Sequence, residues 1–265
     1  MAVREKHRAM PMIPPFLSEV RRAAGVAATE HELLQRVAAA LIARDLDGPS
    51  HVMLYGHRAP AVLPSTVSAG DAQRLLTLAG SLVAGFEPHA LLLSVRLLVA
   101  PPGHEPQGWH LDYRAFDCLA TQTVFAALTP CTAENCTELL MPTDEGAAAR
   151  LDAAVAEELL RAPADGAGLM VQVSPRQVVL QPLLLERFGV CCVPTGRLPH
   201  RRGPTLAAAH TRVVLNVDFT TCSPAKLHAI DFVDDDAFEA ASSGGIVGRA
   251  VVDDLHSEVI VEIVE

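Results

Sequence analysis

Aromatic side chains are scarce in this sequence: one Trp, two Tyr and eight Phe, 4% of 265 residues. A core must therefore come from Ala, Val, Leu and Ile, and the hydrophobic half of the chain is enough to bury a large one. Basic charge is also short. Twenty-one Lys and Arg against 31 Asp and Glu leave a net charge of −10, which argues against a general nucleic-acid surface, since that needs a basic stripe. No apolar run reaches the ~18 residues of a membrane span. The charged N-terminus Met-Ala-Val-Arg-Glu-Lys-His-Arg has no apolar segment behind it, so no secretory signal is expected. Six cysteines, at 118, 131, 136, 191, 192 and 222, form no framework of spaced pairs, and reduced thiols in the cytoplasm are the expectation. The chain also lacks a Gly-x-Ser-x-Gly elbow, a Walker-type phosphate loop and a Gly-x-Gly-x-x-Gly turn.

What is present divides into a helical third and a β-rich remainder. Residues 1–15 read as a loose arm. From Phe16 to Arg44, Leu33, Leu34, Val37 and Leu41 recur at helical spacing and predict one or two amphipathic helices. Ser68 and Asp71 make a capping-box pattern that opens a helix through Val83, ended by Gly85 and Pro88. Strands are expected at 51–55, 91–99, 120–128, 138–141, 168–173, 177–181, 188–193 and 211–219, with an alanine-rich helix over 146–161. This pattern gives a mainly β fold, a sandwich or barrel braced by helices. Three regions follow: a helical bracing region over 1–88, a core over 89–222, and an acidic extension over 223–265. That extension should end in an edge strand at Val259-Ile-Val-Glu-Ile-Val264.

The chemistry centres on Gln107-Gly-Trp-His-Leu-Asp-Tyr113. In a strand, residues i and i+2 share a face, so His110 and Asp112 project together and Leu111 points away. An imidazole and a carboxylate side by side supply two of the three ligands of an iron(II) facial triad. The pair alone is weak evidence, because chance supplies about 0.6 such pairs in a chain with this many His and Asp. A third ligand can come from His200, in Pro199-His-Arg-Arg-Gly-Pro204, or from His210, which lies beside Arg212 and has only Lys226 as a downstream cation. His200 is preferred. Twelve residues after it, Arg212 opens a strand in which Val213, Leu215, Val217 and Phe219 form one face, and Arg212, Val214, Asn216 and Asp218 the other. An arginine on an inner face is costly unless an anion pairs with it, and a bound dicarboxylate would do so bidentately.

His110-x-Asp112, then His200, then Arg212, resembles the iron(II)- and 2-oxoglutarate-dependent dioxygenases, in texture the phytanoyl-CoA-dioxygenase-like branch. The connection Leu128-Thr-Pro-Cys-Thr-Ala-Glu-Asn-Cys-Thr-Glu-Leu-Leu-Met-Pro142 is similar to that branch's Glu-Asn turn and short strand. It carries Cys136 where the branch has Gly, and Thr143-Asp144 where it has Gly-Ser-His. The resemblance spans roughly residues 90–220. It implies a double-stranded β-helix, the jelly-roll core shared with cupins. It also implies His110, Asp112 and His200 as iron ligands and Arg212 as the grip on 2-oxoglutarate. The activity it implies is hydroxylation of a small molecule by dioxygen, with 2-oxoglutarate decarboxylated to succinate. Donor atoms of the three ligands should then lie about 3–4 Å apart, from metal–ligand bonds of ~2.0–2.2 Å.

Other residues have two readings each. Arg96 either reaches a cosubstrate or substrate carboxylate, or points to solvent. Thr123 and Gln107 offer hydrogen bonds to the cavity, Thr123 as a further cosubstrate contact. Trp109 and Tyr113 are expected in the wall, and Asn216 and Asp218 behind the ligands. Arg197, Arg201 and Arg202 either orient an anionic substrate or are solvated. Cys131-x4-Cys136 is half a zinc pattern without its second half, and free thiols are the stronger reading. The competing functions are a non-catalytic jelly-roll binding protein and a protein-directed hydroxylase. Expected partners are a small-molecule substrate and dioxygen, with no nucleic acid and no membrane.

Overall fold

The computed structural model describes residues 20–44, 46, 48–55, 67–112, 121–161, 169–221, 230–233, 248–252 and 259–264. Expectations about the arm over 1–15, Tyr113, Cys118, Cys222, Lys226 and the Asp runs at 234–236 and 253–254 lie outside them. Two sheets face each other. The larger uses β1 (Arg21–Ala23), β2 (Ser50–Tyr55), β3 (Leu91–Ala100), β5 (Thr121–Ala127), β9 (Val190–Val193), β11 (Arg212–Thr220), β12 (Ile230–Val233) and β13 (Gly248–Val252). Their order is β1-β9-β5-β11-β3-β13-β12, with β2 also on β3. The smaller sheet runs β7 (Leu169–Val173), β14 (Val259–Ile263), β4 (His110–Leu111), β10 (His200–Arg202), β6 (Thr137–Pro142) and β8 (Val178–Leu183). Among the described residues, no helix is long and apolar enough to cross a membrane.

Three helices cover the outer faces. In α1 (His31–Ile42), Leu33, Leu34, Val37 and Leu41 are buried. In α2 (Ala69–Phe86), Leu75, Leu78, Ala79 and Val83 are buried, and the Ser68 hydroxyl accepts from the Asp71 N–H at 3.0 Å, as the capping pattern requires. Both helices pack on Val213, Leu215, Val217 and Phe219 of β11 and on Val95, Leu97 and Val99 of β3. The apolar face of β11 therefore points outward to the helices, and the Arg212–Asp218 face points inward. The third helix, α3 (Glu145–Arg161), packs Leu151 and Val155 against Leu111, Leu140 and Val171 of the smaller sheet. All nine residues of β11 are buried, on its helix-facing side and on its inward side alike. Phe219→Ala should destabilise the protein by about 3–5 kcal/mol, read as a lowered denaturant midpoint, because its ring is fully buried against α1 and α2.

Four local expectations need correction. The 16–44 stretch holds strand β1 ahead of its helix, paired with β9 from Arg21↔Cys192 to Ala23↔Val190. Residues 200–202, where no strand was expected, form a strand between β4 and β6. The region after 222 supplies β12 and β13 in addition to its last strand. That last strand is not at an edge: β14 lies between β7 and β4, and β7 takes the edge. Val261 of this inner strand is buried with the α3 layer, while Glu262 and Ile263 beside it are exposed.

Candidate metal centre

The centre is built where the smaller sheet turns its inner face to β11. In the antiparallel pair β4–β10, His110 lies directly opposite His200, so residues ninety positions apart become cross-strand neighbours. β4 is only two residues long, and Asp112 stands just past its end, where its N–H donates to Thr195 O at 3.2 Å. Leu111 turns the other way and is buried under α3, as strand alternation predicts.

The three side chains converge. The carboxylate of Asp112 lies 3.4 Å from His200 Nε2 through Oδ2 and 3.9 Å from His110 Nε2 through Oδ1. One donor atom from each residue falls within 4.8 Å of the other two. The two contacts to Asp112 match the expected spacing. The imidazole rings are 4.5 Å apart between centroids and inclined by 54°. Each ring is oriented from behind. His110 Nδ1 donates to Gly108 O at 2.9 Å, and His200 Nδ1 donates to Leu198 O at 3.1 Å. A carbonyl accepts only from N–H, so each ring is fixed with Nδ1 to the backbone and Nε2 turned toward the Asp112 carboxylate. Two such imidazoles and one carboxylate fit the facial arrangement that binds iron(II). All three residues are buried.

Electrostatics tighten the pair. Burial pushes the Asp112 carboxyl up, but His200 outweighs it by charge and hydrogen bond, with Arg96 and His110 adding to this, and the acid is held below the usual carboxylate range. Burial pushes His200 down, and Asp112 outweighs it, so the imidazole is raised. Each group thus favours the charged form of the other, and a metal ion bound here would compete with a proton at His200.

Arg212 shares the cavity with these residues and is 2% exposed. One guanidinium nitrogen donates to Thr137 Oγ1 at 3.0 Å, while its Nε has no hydrogen-bond partner among the described residues. Burial lowers its pKa, and Arg202 nearby lowers it further. A buried N–H without a partner is expensive, and here it borders a cavity.

The remaining candidates separate cleanly. Arg96 lines the cavity, ion-pairs with Asp218 at 3.0 Å and bears on Asp112. With the Asn216 amide rotated, its carbonyl accepts from Arg96 Nε at 3.0 Å. Thr123 does not line this cavity. Its hydroxyl lies behind the site, donating to Asp218 Oδ1 at 2.7 Å with Thr195 Oγ1 also at 2.7 Å. Gln107 does line it. His210 is exposed at the Pro130 turn, its Nε2 2.8 Å from Pro130 O, and is no part of the cluster. Trp109 packs partly buried in the α3 layer. Cys131 and Cys136 are free buried thiols, both pushed up by burial, Cys131 to about 11.

The arginines near His200 divide, Arg197 in the turn before β10 and Arg201 and Arg202 on opposite faces of it. Arg197 pairs with Asp152 of α3. Arg201 turns outward, bonded to Glu138 at 2.7 Å and stacked over Trp109 at 4.3 Å. Arg202 shares the face of His200 and lines the cavity. Sequence reasoning did not separate these three, and it did not place His51, at the rim, in the site. The signal for Arg202 was its i+2 position after His200, hidden because the short segment between Pro199 and Gly203 gave no strand pattern.

No protein-family model matches the chain, and no curated protein matches it. Solved structures do. The chain is similar to the epimerase SnoN in complex with Fe3+, alpha ketoglutarate and nogalamycin RO, at 12% identity over 88% of this chain and 94% of that one, TM-score 0.51. It is also similar to the non-heme alpha ketoglutarate dependent carbocyclase SnoK, at 15% identity over 91% and 90% of the two chains, TM-score 0.48. A third is EctD from S. alaskensis with 2-oxoglutarate and 5-hydroxyectoine, at 13% identity over 80% and 79%, TM-score 0.47. At such identities the likeness is one of fold. Together with the two facing sheets, the match to SnoN over most of both chains gives this protein a double-stranded β-helix core, mainly β and braced by helices.

Proposed function

We propose that the protein is an iron(II)- and 2-oxoglutarate-dependent oxygenase that hydroxylates a small-molecule substrate in the cytoplasm, within the phytanoyl-CoA-dioxygenase-like branch. The observation that carries this reading is the meeting of His110, Asp112 and His200 in one cavity with a buried arginine whose Nε lacks a partner. In this reading residues 89–222 hold the catalytic core, 1–88 brace it, and 223–265 form an acidic extension. SnoN, the neighbour with the higher TM-score, is described with both an iron ion and the oxoacid, which supports the same assignment here.

His110, Asp112 and His200 hold the metal, and Arg212 takes the distal carboxylate of 2-oxoglutarate, completing the hydrogen bonding of its guanidinium. Iron(II), when bound, supplies dioxygen activation coupled to decarboxylation of the oxoacid. The chain's own work is to orient and exclude. Gly108 O and Leu198 O fix the imidazoles. Arg96, anchored on Asp218, adds to the larger effect of His200 in favouring the Asp112 carboxylate. Phe125 and Leu98 give the cavity apolar wall.

The test is direct. Anaerobic addition of iron(II) and 2-oxoglutarate should produce a weak visible metal-to-ligand absorption band, and admitting dioxygen should produce succinate, even if slowly without the prime substrate. If neither the band nor direct binding of 2-oxoglutarate is found, the reading falls to a non-catalytic jelly-roll binding protein.

A further inference from the structure

The cavity holds more positive charge than metal and cosubstrate require. Three guanidiniums line it, from Arg96, Arg202 and Arg212, and Asp112 is the one carboxylate among its described lining residues. On the oxygenase reading, on which this inference rests, iron(II) with Asp112 leaves one positive charge and Arg212 adds another. The two carboxylates of 2-oxoglutarate cancel both. Arg96 is cancelled separately by Asp218, which is fully buried behind it and 3.0 Å away. Arg202 is left over.

Arg202 is also left over in its hydrogen bonds. Its residue neighbours in the sheet are committed elsewhere: Arg201 to Glu138, and the Thr137 hydroxyl opposite to Arg212. One of its terminal nitrogens is buried with no hydrogen-bond partner among the described residues, and burial lowers its pKa. His51, on β2 at the rim of the same cavity, cannot balance it. That imidazole is held down to about 4, first by desolvation and then by Arg96, with Arg202 and Arg212 adding to this and Asp112 opposing it. It is therefore a neutral hydrogen-bonding group. Gln107, whose N–H donates to Arg202 O at 2.9 Å, adds a neutral amide to the same rim.

We infer that Arg202 is a substrate-binding residue that selects an organic anion, a carboxylate or a phosphate ester with one charge to be neutralised. His51 and Gln107 line the cavity with it as uncharged donors or acceptors. A guanidinium at this place matches a planar carboxylate or a phosphate, and a neutral substrate would leave its buried N–H unmet. The position suits selection: Arg202 sits two residues beyond His200 on one strand face, so an anion held there brings the rest of the molecule alongside the metal ligands.

The experiment uses the full-length protein loaded anaerobically with iron(II) and 2-oxoglutarate. Benzoate and hexanoate are compared with benzamide and hexanamide by equilibrium dialysis, and the visible band is followed during each titration. The carboxylates should bind at least tenfold more tightly than the amides. Arg202→Gln should remove that difference and Arg202→Lys should restore part of it, while the affinity for 2-oxoglutarate changes less than threefold. Equal binding of acids and amides by the wild type overturns the inference. So does a loss of 2-oxoglutarate binding in Arg202→Gln as large as in Arg212→Gln, which would assign Arg202 to the cosubstrate. If 2-oxoglutarate never binds the wild type, the oxygenase reading fails by itself. The acid–amide comparison on the protein without it then still decides whether Arg202 holds an anion.

Discussion

Asp112→Ala is expected to abolish succinate formation and to lower iron(II) affinity by at least about 100-fold. Loss of a residue that merely orients a ligand costs about 10–100-fold, and Asp112 does more: it is the one anion among the three converging donors. Without it the site is two neutral imidazoles facing Arg96 and Arg212, an environment that repels a divalent cation. The fold should survive the change. The hydrogen bond from the Asp112 backbone N–H to Thr195 O is kept, and without the carboxylate the burial of His200 favours its neutral form. Dialysis against limiting iron(II), with thermal melting of the metal-free protein as control, separates the two effects. Near-normal iron binding by a folded Asp112→Ala protein would rule out the proposed metal site.

Arg212→Met should have opposite effects on binding and on stability. A charged pair of this kind is worth about 2–5 kcal/mol when buried, so the affinity for 2-oxoglutarate should fall at least about 30-fold. The metal-free protein should nonetheless be as stable as the wild type, or more stable by about 1–3 kcal/mol. The substitution removes a buried N–H and a charge that have, among the described residues, no hydrogen-bond partner and no carboxylate counter-ion. It forfeits one hydrogen bond, to Thr137. Urea unfolding of the metal-free proteins and titration of the iron-loaded ones measure both sides. Should the metal-free variant prove several kcal/mol less stable while binding 2-oxoglutarate normally, Arg212 is a structural residue and not the carboxylate grip.

These residues were legible in the sequence to different degrees, for reasons that are physical. β11 was the clearest. Its period-2 alternation put Val213, Leu215, Val217 and Phe219 on one face and Arg212, Asn216 and Asp218 on the other, and both sets lie where alternation places them. α1 and the Ser68 cap were equally open, since helix periodicity and capping are local. For the three converging residues, strand alternation gave the His110 and Asp112 pair, and the resemblance, with Arg212 twelve residues further on, pointed to His200 rather than His210. β10 was hidden by its punctuation. Pro199 and Gly203 bound it, but Gly203 is there for space: a Cβ would lie 2.9 Å from Cys136 O, just before the neighbouring strand β6. A three-residue strand held by partners on both sides has no pattern of its own to read. Thr123 shows the complementary error. Its face was read correctly, but a face does not reveal depth, and its hydroxyl is taken by Asp218 and Thr195 behind the cavity. The place of β14 inside its sheet depends on β4 and β7, which only the folded chain brings together.

The opposition of His200 and His110 across β10 and β4 has a consequence for how the chain reaches its native state. In a sheet, a slip of one residue turns every side chain to the other face. Such a slip in β10 would withdraw His200 and swing Arg201 inward, placing a guanidinium where an imidazole should be. Three residues of pairing give little backbone energy with which to reject that alignment. On the proposed reading iron(II) binds only the correct one, and its binding energy is added to that state alone. The metal then acts as a proofreader of strand alignment, and iron starvation during synthesis should leave a fraction of molecules trapped out of register.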